Sequence, residues 1–138
     1  MTDAELLAKK LAALETYVAE LRSLGRPDQI AEDVVQQRFL LHTLQMAMQA
    51  ALDAASHVVS DERLGEPVEN RDLFLILGRR GWIDHDLARA LARMVGMRNR
   101  LVHEYDEVDL DKIRQALAED LDDLPAFAQA IRARLSAG

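Results

Sequence analysis

The chain has 138 residues and no cysteine, which excludes disulfide staples and thiolate metal sites and leaves the redox compartment open. Apolar residues make up 49% of it and aromatics only 4%, with few glycines and prolines, which favours an all-helical domain over a sheet. A formal net charge of −7 argues against nucleic-acid binding driven by overall charge.

The length suits one domain, residues 1–138, with a core of its own. Met1-Thr2-Asp3-Ala4-Glu5 lacks the basic and apolar regions of a signal peptide. No apolar run approaches the roughly 20 residues of a membrane span. The expectation is therefore a cytoplasmic protein with no membrane partner.

Five helices are expected, in chain order. The first runs from about Asp3 to Ser23, with Thr2 and Glu5 as a capping box and Leu6, Leu7, Leu11, Leu14, Val18 and Leu21 as its apolar stripe. Gly25 ends it, and Pro27 opens a long second helix to Val59 with a broad apolar surface. Residues 60–69 read as a loop. Asn70 should cap a short third helix from Arg71 to Leu77, ended by Gly78 and Gly81. Asp84 should cap the fourth, Asp86 to His103. Asp109 should cap the fifth, from Leu110 towards Leu135, which Pro125 should kink or interrupt. Short connections between long amphipathic helices imply an antiparallel up-down bundle.

Charge is distributed unevenly along this pattern. From Leu87 to His103 there are four arginines (Arg89, Arg93, Arg98 and Arg100) and no acid. From Glu104 to Asp111 there are five acids and no base. The two stretches read either as solvated faces or as a local phosphate site on an acidic protein. The junction holds Arg98, His103 and Tyr105 in the order Arg-x4-His-x-Tyr. Histidine exchanges protons near neutral pH, and arginine keeps its charge and grips phosphate with two donors. Those are the parts needed to cleave an RNA phosphodiester without a metal.

Residues five apart on a regular helix lie about 140° apart, at roughly 3.6 residues per turn. Arg98 and His103 do not share a face of an ideal helix, whereas Asn99 and His103 do. Either the helix frays or tightens near His103, or the working pair forms between two chains.

The Arg-x4-His spacing resembles the signature of HEPN-superfamily ribonucleases, and Tyr105 makes it similar to the HepT-like toxins. That resemblance implies a helical bundle, a homodimer in which both fourth helices meet, and a cleft holding two arginines and two histidines. It implies that Arg98 binds phosphate, His103 transfers protons and Asn99 supports them, leaving a 2′,3′-cyclic phosphate. It also implies that Tyr105 accepts AMP from a cognate minimal nucleotidyltransferase antitoxin. Arg93 and Arg100 are expected to help bind RNA phosphate.

Other residues carry less. His42, His57 and His85 lack the spacing of a helical metal site, so no metal or cofactor is expected. Asp53 and His57, four apart, are placed to hydrogen-bond. Arg79 and Arg80 read as a solvated helix end, Trp82 as core or dimer seam, and Met46, Met48, Met94 and Met97 as packing. A catalytically silent module that partners a nucleotidyltransferase is the alternative to the toxin reading, and a structural adaptor with a coincidental motif is the third. A neighbouring nucleotidyltransferase reading frame would exclude only the adaptor.

Overall fold

The structure is a computed structural model that describes residues 3–103 and 109–137, with residues 98–103 described as backbone. Among the described residues there are six α-helices and no strand. They are α1 (Ala4–Leu24), α2 (Val34–Asp61), α3 (Asn70–Arg79), α4 (His85–His103), α5 (Leu110–Glu119) and α6 (Asp123–Ala137).

In α1, Leu7, Leu11, Leu14, Val18 and Leu21 are buried, a spacing that keeps one stripe against the core. Its N-cap is Asp3 rather than Thr2, because the Asp3 carboxylate accepts from the Leu6 N–H at 3.1 Å. The long second helix starts later than Pro27. Pro27–Gln29 forms a separate 3-10 turn, and Asp33 caps α2 by accepting from the N–H groups of Val35 and Gln36. A proline at a helix start fits a tight turn as well as an α-helix, so sequence alone does not separate the two.

The third helix is capped by Glu69, one residue before the expected Asn70. Glu69 and Asp72 form a reciprocal capping box, and the Glu69 and Val68 N–H groups hold the Asp72 carboxyl below its usual range. Gly78 does not end this helix but lies buried inside it. A Cβ there would meet the Ala88 Cβ at 2.7 Å, so glycine lets α3 and α4 approach closely. The turn itself belongs to Gly81, whose φ of +79° is left-handed. The expected fifth helix is two helices. The chain turns at residues 120–122, and Pro125 is the third residue of α6, in the first turn where its missing N–H leaves no bond unmade.

Side-chain links fix the directions. Lys10 reaches Asp53 at 3.4 Å and Gln36 donates to the Leu24 carbonyl at 3.2 Å, so α1 and α2 are antiparallel. Arg132 grips Glu15 with two bonds of 2.8 and 2.6 Å, and Arg22 pairs with Asp122, so α6 is antiparallel to α1 and parallel to α2. Trp82 borders one pocket with Glu62 at the end of α2, and His85 borders a hollow with Ala130 and Arg134 near the end of α6. The fourth helix therefore starts where α2 and α6 finish and runs back antiparallel to both. Phe74 and Phe127 meet edge to face, their centroids 5.6 Å apart, and lock α3 onto α6. The up-down bundle is thus as expected. No helix among the described residues is long and apolar enough to cross a membrane.

Candidate active site

The helix that carries the motif is anchored at its start. Asp84 caps α4, its side chain accepting from the Leu87 N–H at 2.8 Å and its carbonyl from Ala88 at 3.0 Å. Arginines follow downstream, the sign a helix dipole favours towards its C-terminal end. Ala88, Leu91, Met94 and Val95 are buried and fix which side of α4 faces the bundle.

That side sets the register of the motif. The backbone stays α-helical through His103. Arg98 stands seven residues after Leu91 and three after Val95, in line with the inward stripe. His103 stands seven residues after Gly96 and shares the outward register of Arg89, Arg93 and Arg100. The two positions are about 140° apart around the axis. On one unbroken helix the backbone does not bring Arg98 and His103 onto a shared face, and Asn99 lies on the His103 side. Tyr105 lies outside the described residues.

Around the described part of that face, Arg89 pairs with Asp86, and Arg93 is exposed. Burial pushes the Asp123 carboxyl above its usual range, Asp120 adds to the rise, and the Arg93 charge partly offsets it. The basic face of α4 thus runs beside the acidic start of α6, where Asp120, Asp122 and Asp123 cluster.

Other candidates separate from this face. Arg80 donates to the Leu64 carbonyl at 3.2 Å and so ties the loop after α2 to the end of α3. Arg79 and Arg80 stand at the opposite end of α4 from His103, roughly 27 Å along its axis at 1.5 Å per residue. Asp53 does not pair with His57. It accepts from Lys10 and Gln49 instead, while His57 Nε2 lies 3.1 Å from Asp61 Oδ2 without the alignment of a hydrogen bond. His42 and His85 are exposed. Among the described residues no group of three or more His, Asp or Glu side chains is placed to hold a metal ion. Trp82 is buried with the Arg134 guanidinium 5.2 Å from its ring centroid, and Met48 and Met94 are buried in the core.

Comparison with known proteins identifies the family. The family model described as "Ribonuclease HepT-like" matches residues 11–131. The chain is 29% identical over 130 residues to the mRNA nuclease HepT of Shewanella oneidensis, covering 94% of this chain and 98% of that one. It is 30% identical over 139 residues to the tRNA nuclease HepT of Aphanizomenon flos-aquae, covering 98% and 95%. Among solved structures, a tri-AMPylated Shewanella oneidensis HEPN toxin in complex with an MNT antitoxin superposes with a TM-score of 0.85 at 30% identity, over 96% of this chain and 99% of that one. A cytosolic protein of unknown function from Bacillus subtilis, YutE, superposes at 0.89 over 99% and 92% with 18% identity, which speaks for the fold alone. The chain belongs to the HepT-like ribonuclease family.

Proposed function

We propose that this chain is the toxin of a toxin–antitoxin pair, an endoribonuclease that needs no metal, with its cleft built from two copies. The observation that carries the composite cleft is the placement of Arg98 and His103 on different sides of one continuous helix. A second copy supplies what one helix cannot. Support for RNA as substrate comes from the two nuclease relatives, which act on mRNA and tRNA by description.

In this reading one His103 takes the proton from the RNA 2′-hydroxyl, whose oxygen attacks the adjacent phosphorus. The bond from phosphorus to the 5′-oxygen breaks, and the His103 of the other copy donates a proton to that leaving oxygen. The product ends are a 2′,3′-cyclic phosphate and a 5′-hydroxyl. Arg98 stabilises the negative charge that builds on the phosphoryl oxygens, and Asn99 supports it. Arg93 and Arg100 hold flanking phosphates.

Control is assigned to Tyr105. A nucleotidyltransferase partner would move AMP from ATP onto the phenol oxygen and release pyrophosphate. The added phosphate and bulk two residues after His103 would occupy the place of RNA phosphate. Support comes from the AMPylated relative in its antitoxin complex. The whole chain acts as one domain.

The test uses purified protein and a defined RNA, with and without a metal chelator. Wild type should cleave in both conditions and leave cyclic phosphate ends. His103→Ala should lose about 100-fold or more, the scale of a general acid–base residue. Chelator-sensitive cleavage, or full activity in His103→Ala, contradicts the mechanism. A folded, antitoxin-binding wild type with no cleavage would instead identify a silent module.

A further inference from the structure

We infer that the hollow between the start of α3 and Gly96 of α4 is a base-reading subsite, which holds one nucleobase of the RNA strand beside the phosphate to be cut. The inference deepens the ribonuclease reading and rests on it, since it names what selects sequence at that site.

The first observation is a glycine for which the fold itself has no use. Gly96 lies inside α4 on helical backbone, is exposed, and does not have a left-handed φ. Glycine inside a helix weakens it relative to alanine. Gly78 has a reason within the fold, because an added Cβ would meet the Ala88 Cβ at 2.7 Å. Among the described residues, nothing lies within 4 Å of a Cβ added at Gly96. Bare backbone on the outside of a helix is what close approach by a ligand requires.

The second observation is the hollow beside that glycine. Asn70 stands eight residues before Gly78, and Gly96 eight after Ala88, so packing of Gly78 on Ala88 sets the start of α3 against Gly96. Glu69, Asn70, Arg71, Val95 and Gly96 line a hollow of about 360 Å³ there. That size falls within the roughly 300–1,000 Å³ of small-ligand pockets. The Asn70 side-chain amide has no hydrogen-bond partner among the described residues, so it offers both a donor and an acceptor. Arg71 Nε donates to Glu69 at 2.8 Å, which matches the one carboxylate of the lining and leaves the terminal guanidinium nitrogens for a ligand. Unstacked RNA bases are held in this way, by hydrogen bonds to their edges and by stacking on guanidinium planes.

The third observation selects RNA as the occupant. Arg89, Arg93, Gly96, Arg100 and His103 follow one another at intervals of three or four residues, so they share one stripe of α4. An arginine position therefore flanks Gly96 about one turn to either side. His103 stands seven residues beyond Gly96, roughly 10 Å along the axis at 1.5 Å per residue. The hollow opens on the Val95 side of this stripe, the side on which Asn99 has its register. A strand whose phosphates follow Arg93 and Arg100 thus has room to turn a base into the hollow. A protein partner fits less well, because the lining is polar and charged where the centres of protein interfaces are depleted of charge.

Base preference is read through binding, which does not depend on cleavage. Short 2′-O-methyl oligonucleotides, each of a single base, have the attacking oxygen blocked, and their affinities for the purified chain are measured by fluorescence anisotropy. Wild type should bind the favoured base about tenfold more tightly than the least favoured, within the range that one good base contact discriminates. Asn70→Ala and Gly96→Leu should both lose that preference, the first by removing the amide and the second by filling the hollow. Arg93→Ala should weaken all four alike, as loss of a phosphate contact does. Equal binding of the four bases by wild type, or a preference that survives Asn70→Ala and Gly96→Leu, overturns the subsite and leaves the ribonuclease standing. A Gly96→Leu chain that sediments as a smaller species than wild type assigns the glycine to chain pairing and also overturns the subsite. Base-selective binding by a wild type that cuts no RNA supports the subsite and sinks the ribonuclease.

Discussion

At the scale of single residues, two carboxylates respond to acid with opposite signs. The hydrogen bonds from Arg132 hold the Glu15 carboxyl below its usual range, its charge adding to them against partial burial. A depressed folded pKa stabilises the fold above the unfolded value and is lost as pH falls through the folded one. Glu15→Gln should therefore lower the melting temperature at neutral pH, with the gap closing in acid. Both side chains keep a third or more of their surface, so the loss should be about 1 kcal/mol or less. Asp123 behaves oppositely. Its folded pKa is raised by burial and by Asp120, so it loses stability as pH rises through the window between unfolded and folded values. Asp123→Asn should raise the melting temperature at neutral pH and leave it unchanged in strong acid. Thermal melts across pH check both signs.

Tyr105 carries the regulatory prediction at the same scale. Tyr105→Phe removes the acceptor oxygen and keeps the ring. The variant should stay toxic, escape the enzymatic control of the antitoxin, and gain no AMP mass when incubated with the cognate transferase and ATP. Modification found on Tyr17, a serine or a threonine would show that Tyr105 is not the acceptor.

At the scale of helices, two glycines make a matched pair. Gly78 is buried where α3 and α4 touch, and a Cβ there meets the Ala88 Cβ at 2.7 Å. Overpacking of that kind costs about 1–3 kcal/mol. Gly78→Ala should destabilise the fold, and adding Ala88→Gly should restore much of the loss. Gly96 has nothing within 4 Å of an added Cβ, so Gly96→Ala should stabilise α4 by about 1 kcal/mol through helix propensity alone. Denaturant melts of the three variants separate the two cases.

The helices also show what the sequence could reveal. Leucine periodicity in α1, the Asp84 and Asp109 caps and the Pro125 break were legible because each is a local signal. The Pro27 turn was not, because the same proline chemistry starts a 3-10 turn or an α-helix. Gly78 read as a stop because its role depends on Ala88, ten residues away and on another helix. The pairing of Asp53 was missed for the same reason, since Lys10 reaches it from α1. In the candidate site, the spacing of Arg98 and His103 already implied different faces, and the unbroken backbone of α4 kept them so.

At the scale of the molecule, a net charge of −7 coexists with a basic face on one helix. Acidic residues at the start of α6 border that face, so its positive potential is confined to a strip rather than spread over the surface. Salt should weaken RNA binding less steeply than for a protein with a broad basic surface, because few phosphates are neutralised. Arg98→Ala and His103→Ala should both leave the bundle folded and abolish cleavage. The proposed role of His103 in a toxic ribonuclease is tested most directly by inducible expression in a bacterium, wild type against His103→Ala at matched protein levels, with growth as the readout. Wild type should arrest growth, and the variant should grow normally. Equal arrest by both, or by neither, would contradict that role.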